Sequence, residues 1–309
     1  MTRVPRLTAS LVALGLGLVA AGCAGNDPLA AGEPGEVDTT LTIGSQGFAE
    51  SDILAYVYGL VLADHGYEVD YQLGIGAREI FIPALRDGSI DLIADYSGNL
   101  LRAADPDATA STPEDVSAAL PQALEPLGLA VLDVAPAEDA DALVVTAEFA
   151  ERHGLTSIGD LAPIAGELTI GSNTEFETRS YGRPGLADVY GVEGWTFLPI
   201  DDFGGPATLD ALRTGRIQVA DIFTTNPALQ DGDLVVLDDP ERLIAAQNIV
   251  PLLSEALLTD DLAGVLNPVS AQLTTADLTA LNAVAAGPDK PSPEHIARDW
   301  LVENDLLEH

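Results

Sequence analysis

The chain has 309 residues, 49 acidic against 13 basic side chains, and a formal charge of −36 at neutral pH. Such a surface repels phosphate backbones and anionic lipid, which argues against nucleic acid as a partner. A single cysteine offers no disulfide framework, so stability must come from a packed core, and the length suffices for two lobes of ordinary size.

Arg3 and Arg6 precede an apolar run, Leu7 to Ala21, that is too short and too rich in small residues for a membrane span. It ends in Ala20-Ala21-Gly22-Cys23, which resembles a bacterial lipobox. The resemblance implies a lipoprotein signal over 1–22, cleavage before Cys23 and a lipid on its sulfur. The exported chain would then be anchored to the outer face of the cytoplasmic membrane. An ordinary secretory signal with an incidental cysteine is the alternative. Residues 23–39 lack an apolar period and read as a flexible tether.

From Thr40 the pattern turns to alternating strands and helices. A strand over 40–44 leads through Ser45-Gln46-Gly47 to a helix bearing Ile53, Leu54, Val57, Leu60 and Val61 at helical spacing. A strand follows over 67–73, then a helix over 79–87 stopped by Gly88, then a strand over 90–94. The block then recurs. Leu41-Thr42-Ile43-Gly44-Ser45 repeats as Leu168-Thr169-Ile170-Gly171-Ser172, and Ala84-Leu85-Arg86 repeats as Ala211-Leu212-Arg213. Both pairs are offset by 127, since 168 − 41 and 211 − 84 agree. The second block therefore predicts strands at 168–170, 195–200 and 217–222, with helices at about 175–190 and 207–214.

A period this long indicates two similar α/β lobes with parallel sheets and a ligand cleft between them, not a solenoid. The chain is expected to cross near 142–146 and return near 246–251. That gives one lobe from 40–141 and 252–309, and a second from 142–251. The tail after Ser254 reads as helices packed on the first lobe, the last starting near Ser292 or Pro293.

Ligands of open parallel sheets sit beyond the C-terminal strand ends. Those ends carry Ser45-Gln46, Tyr96, Ser172-Asn173 and Phe223. A Gly-Ser turn opening a helix suits an anionic group, although the same serines could merely cap their helices. Tyr96 and Phe223 match at the 127-residue offset and could hold a cation against their π faces, or be core aromatics. Asn99, Thr224 and Thr225 follow them and could donate hydrogen bonds; Arg179 is a candidate carboxylate partner. The four histidines have no metal-ligand spacing, and no nucleophile elbow appears. No metal, cofactor or catalysis is expected.

The segments Ile43-Gly44-Ser45-Gln46-Gly47-Phe48-Ala49-Glu50, Gly88-Ser89-Ile90-Asp91-Leu92-Ile93-Ala94-Asp95-Tyr96-Ser97-Gly98, Val219-Ala220-Asp221-Ile222-Phe223-Thr224-Thr225 and Gln247-Asn248-Ile249-Val250-Pro251 complete the pattern. Together they resemble the osmoprotectant branch of ABC-transporter substrate-binding proteins, which bind glycine betaine, carnitine or choline. The resemblance covers roughly 40–305. It implies a type II-like periplasmic-binding-protein fold whose lobes close on the ligand, with a permease and its ATPase as partners. A monomer is expected.

Several ligand positions depart from the family pattern. Gln46 replaces a usual lysine, Phe223 a usual tyrosine, Asp141 a further tyrosine and Asn99 a threonine. The loss of a cation and the gain of Asp141 make the site more negative, which would favour a cation without a carboxylate, such as choline. A sensory ligand-binding protein, or an importer protein for an unrelated solute, is the alternative.

Overall fold

The computed structural model describes residues 40–307. The expected signal, Cys23 and tether lie outside the described residues. The first block runs β1 (Thr40–Gly44), α1 (Ala49–Asp64), β2 (Glu68–Gln72), α2 (Arg78–Asp87), β3 (Leu92–Tyr96), α3 (Ser97–Ala104), α4 (Pro113–Leu124) and β4 (Leu129–Val131). The second runs β5 (Asp141–Thr146), α5 (Ala147–His153), β6 (Thr169–Ser172), α6 (Arg183–Tyr190), β7 (Thr196–Pro199), α7 (Pro206–Arg213), β8 (Val219–Phe223) and β9 (Leu234–Val236). The tail supplies β10 (Ile249–Ser254), α8 (Asp260–Gln272), α9 (Thr275–Ala286) and α10 (Pro293–Glu303). Ser292 caps α10 by accepting the His295 N–H, and Pro293 occupies its first turn, where a missing N–H costs nothing.

The strands form two five-stranded sheets, ordered β2-β1-β3-β10-β4 and β7-β6-β8-β5-β9. The repeat is visible in register: Ile43 pairs with Leu92, and Ile170 with Val219. A tie-down bond repeats too, from Thr42 N–H to Asp91 at 2.8 Å and from Thr169 N–H to Gln218 at 2.9 Å. The repeated glycines have a packing reason. A Cβ on Gly44 would lie 2.9 Å from Ile90, and one on Gly171 only 2.6 Å from Ile217.

The sheets are mixed rather than wholly parallel. In each, three parallel strands are followed by an antiparallel one, β10 in the first sheet and β5 in the second. These are the strands that enter each lobe from the other, and they run opposite to the βα units because they arrive at the far end of the sheet. The crossings thus lie before the strands, over 132–140 and 237–248. Val144 is mid-strand in the second sheet, and Ile249–Pro251 already pair with β3. The boundary expected after residue 251 therefore falls inside a strand, and Asp141 pairs with Phe223 in the second sheet. The two crossings bond to each other, Asp139 N–H to the Gln247 carbonyl at 3.1 Å, and Ile249 at the head of β10 donates its N–H to the Ala137 carbonyl at 3.0 Å.

One face of the first sheet is covered by α1 and the tail helices: Ile53, Leu54 and Val57 pack in one cluster with Leu266, Trp300 and Leu301. Phe81, Leu85, Leu100 and Leu120 cover the other. The second lobe has equivalent clusters around Ile170 with Trp195, and Leu212 with Ile222.

The single helix expected over about 175–190 is broken. A 3-10 turn over Thr174–Glu177 is separated from α6 by a bent stretch. Pro184 cannot donate a helical N–H. Gly182 lies so close to the Phe176 carbonyl that a Cβ there would sit 1.7 Å from the oxygen. The break frees Arg179 and Tyr181 to face the cleft.

Candidate functional site

The parallel strands β1, β3, β6 and β8 end at a cavity of about 70 Å³ between the lobes. Gln46, Tyr96, Asn99, Asp141, Ser172, Asn173, Arg179 and Phe223 all line it. Sequence reasoning missed several others that do: Phe48, Arg78, Tyr181, Phe203 and Asp221.

Phe48 is the hub of an aromatic wall. Its ring centroid is 5.1 Å from Phe203, 5.3 Å from Phe223 and 6.0 Å from Tyr96. The repeat could not reveal it, because the position at the same offset is Glu175. Phe203 is held at φ 55°, a left-handed backbone that costs a bulky residue on the order of 1–3 kcal/mol. Asn173 offsets that strain by accepting the Phe203 N–H at 2.9 Å. Asn173 thus both lines the cavity and sets the wall.

The polar side of the cavity is dominated by carboxylates. Arg78 makes a bidentate pair with Asp95, Nε to Oδ2 at 3.0 Å and an Nη to Oδ1 at 2.6 Å. Burial pushes the Arg78 guanidinium down, but Asp95 holds it above its ordinary value, so this pair is internally neutral. Gln46 donates to the same Asp95 at 3.2 Å. Asp141 accepts from Asn99 at 2.8 Å and Asp221 from the Ser172 hydroxyl at 2.9 Å. Burial first, and then mutual repulsion, pushes Asp221 well above the usual carboxylate range. Asp141 is also raised by burial, against the lowering pull of Asn99 and Arg78.

Three expected ligand contacts fall elsewhere. Ser45 is fully buried; its hydroxyl donates to Asp52 and accepts the Gly74 N–H, so it fastens the turn. Thr224 donates its N–H to the Ala140 carbonyl, and its hydroxyl reaches Asp139 at 3.3 Å. Thr225 donates to Glu50 at 2.7 Å, behind the aromatic wall. Tyr96 OH donates to the other oxygen of Glu50 at 2.8 Å, and Asn282 bonds the same carboxylate. Glu50 therefore ties the back of the cage to the second lobe. The helix-start anion sites expected at the Gly-Ser turns are not available: Gln46 N–H is taken by Ser51, and Ser172 faces an acid.

Arg179 does meet a carboxylate, but it is Glu79 of the first lobe, at 2.7 and 3.1 Å. With Asn99–Asp141 and Thr225–Glu50, this pair bridges the lobes, so the arrangement is a closed one. Among the described residues no cluster of potential metal ligands occurs, and no helix is long and apolar enough to cross a membrane.

Comparison with known proteins agrees with this architecture. Residues 39–303 match the model of the family described as the substrate binding domain of ABC-type glycine betaine transport systems. A glycine-betaine-binding protein of Pseudomonas aeruginosa is 27% identical over 285 residues, covering 87% of this chain and 89% of that protein. The carnitine transport binding protein OpuCC of Listeria monocytogenes is 23% identical, covering 89% and 90%. Among solved structures, a glycine betaine/carnitine/choline ABC transporter protein aligns with a TM-score of 0.68 at 23% identity, over 87% of this chain and all of that one. A choline-binding protein in complex with choline aligns with a TM-score of 0.65 at 16% identity, over 88% and 91%. These likenesses share the two-lobed α/β fold, and the match over nearly the whole described chain decides the assignment: the chain belongs to the family of substrate-binding proteins of glycine betaine-type ABC importers.

Proposed function

We propose that this protein captures a small quaternary ammonium solute in the interlobe cavity and delivers it to a membrane permease driven by an ATPase. The observation that carries this reading is the wall formed by Phe48, Phe203, Phe223 and Tyr96 at the strand ends. A quaternary ammonium has no N–H to donate, so its recognition rests on ring faces and apolar contact. Each ring contributes about 0.5–2 kcal/mol, more as water is excluded. The names of the related proteins, which include glycine betaine, carnitine and choline binding, support the same solute class. The lipobox-like Ala20-Ala21-Gly22-Cys23 supports an exported chain held at the outer face of the cytoplasmic membrane by its lipid.

Thermal unfolding of the purified chain with choline, glycine betaine, carnitine, ectoine and proline in turn tests this. A solute at 100 times its dissociation constant adds about 2.7 kcal/mol. For a chain of this size that is a rise of about 5–10 °C. A rise with one or more quaternary ammonium compounds is expected; no shift with any of them refutes the solute class and leaves the family membership standing.

A further inference from the structure

Two acids share one wall of the cavity. In the antiparallel pair of β5 and β8, Asp141 faces Phe223 and Leu143 faces Asp221. Asp141 and Asp221 are therefore diagonal neighbours on one face of the second sheet, a separation that side chains bridge. Both carboxyl groups line the cavity, and the charge on Asp141, after burial, helps hold Asp221 above the usual carboxylate range. Asp221 is 8% exposed, and its Oδ1 has no hydrogen-bond partner although it is buried at the cavity. A buried unpaired carboxylate oxygen is costly, so such an atom marks a place where a ligand group can bond.

We propose that Asp141 and Asp221 act as a proton-sharing pair that selects, among quaternary ammonium solutes, those whose second polar group donates a hydrogen bond over those carrying a carboxylate. The proposal rests on the solute class assigned above.

The surrounding charges support it. Arg78 faces Asp141 but is already matched by Asp95, and Arg179 is matched by Glu79. The remaining charged or titratable groups at the cavity are Asp139, Glu175 and the phenols of Tyr96 and Tyr181; burial with Glu50 keeps Tyr96 protonated, and burial with the neighbouring Asp141 keeps Tyr181 protonated. Among the described residues that line the cavity, no cation without a carboxylate partner is left to take a ligand carboxylate. Two carboxyl groups this close and this buried hold one proton between them. An arriving cation replaces that proton: solute enters, one proton leaves to solvent, and the pair becomes fully ionised. A hydroxyl on the solute then donates to Asp221 Oδ1. A solute carboxylate instead requires the pair to keep its proton and donate it.

The two ligands differ in their pH courses. Binding that releases a proton strengthens as pH rises, by about tenfold per pH unit where a full proton is released. Choline should follow that course below the titration of the free pair, while glycine betaine, which keeps the resident proton, should be flat there and weaken only above it. Titration calorimetry of the purified chain in phosphate and in Tris, buffers of different ionisation enthalpy, counts the protons directly. Choline is expected to release about one proton and to bind at least tenfold more tightly than betaine. Asp221→Asn and, as an independent variant, Asp141→Asn should each abolish the proton release and narrow the preference for choline. Choline binding with buffer-independent heat, or betaine bound as tightly as choline, overturns the proposal while leaving the solute class intact. A chain that binds no quaternary ammonium compound at all overturns both.

Discussion

Replacing Arg179 with alanine removes a bidentate ion pair that spans the cleft, and the result depends on which carboxylate Arg179 serves. Its guanidinium is 20% exposed and Glu79 58% exposed, with contacts of 2.7 and 3.1 Å. Exposure on the Glu79 side screens the pair, so about 0.5–1 kcal/mol is a fair figure despite its bidentate geometry. That energy exists only when the lobes are closed. Removing it lowers the closed population, and apparent solute affinity falls in proportion, by about two- to fivefold. Glu79→Ala should produce the same loss, and the double variant no further loss. All three effects should be equal for choline and betaine, and should vanish in high salt. The pH dependence follows the same pair. Partial burial raises the Glu79 carboxyl but Arg179 outweighs it, so the group titrates below its ordinary value of 4.5. Its contribution is complete at neutral pH and is lost only as pH falls through that depressed value. Calorimetry on the three variants decides the matter. If Glu79→Ala tightened betaine binding, Arg179 would be a ligand contact held in reserve by Glu79, and its role in bridging the closed lobes would be refuted.

Three further outcomes follow from the same geometry. Phe48→Ala removes the hub of the aromatic wall and should weaken choline by about 2- to 30-fold, from a loss of roughly 0.5–2 kcal/mol, while an uncharged isostere of choline loses less; equal losses would show that only apolar area was removed. Thr225→Val takes one of the hydrogen bonds from buried Glu50 and so weakens closure. A bond to a charged group contributes about 1.5–3 kcal/mol, so affinity should fall about 10- to 100-fold, and an unchanged dissociation constant would refute the role of Glu50 in tying the lobes. Gly182→Ala forces a Cβ into the Phe176 carbonyl and should cost about 1–3 kcal/mol, read as a melting temperature about 3–10 °C lower; an unchanged one would show that the break before α6 is not sterically fixed.

Much of the fold was legible because the chain states its βα units twice. The offset of 127 residues carries register, tie-down bonds and strand ends together, as Ile43–Leu92 and Ile170–Val219 show. Local signals also sufficed where one residue decides, as with Gly88 closing α2 in a left-handed conformation and Ser292 opening α10. The antiparallel strands were not legible, because strand direction depends on where the chain enters a lobe and leaves no mark on periodicity. In the site, the repeat found Tyr96 with Phe223 and Gln46 with Asn173, but it hid the residues that break symmetry. Phe48, Arg78 and Asp221 fall on Glu175, Gly205 and Ala94 of the other block. The same symmetry misled at Ser45. Both Gly-Ser turns look alike in sequence, yet Asp52 engages one hydroxyl away from the cleft while Asp221 holds the other beside it.

The exchange of β10 and β5 between lobes also orders assembly in time. Every strand of the second sheet lies within 141–236, and its core closes with Leu237 and Leu243 just beyond, so that lobe is complete once residues 141–243 have emerged from a ribosome or translocation channel. The first lobe begins earlier in sequence but cannot close its sheet until Ile249–Ser254 arrives, nor its core until Trp300 and Leu301 do. Vectorial delivery therefore reverses the written order: the later-encoded lobe can fold first, and the earlier one waits with β3 as an open edge. That waiting interval, with contacts spanning most of the chain, is where slow folding and misassembly concentrate.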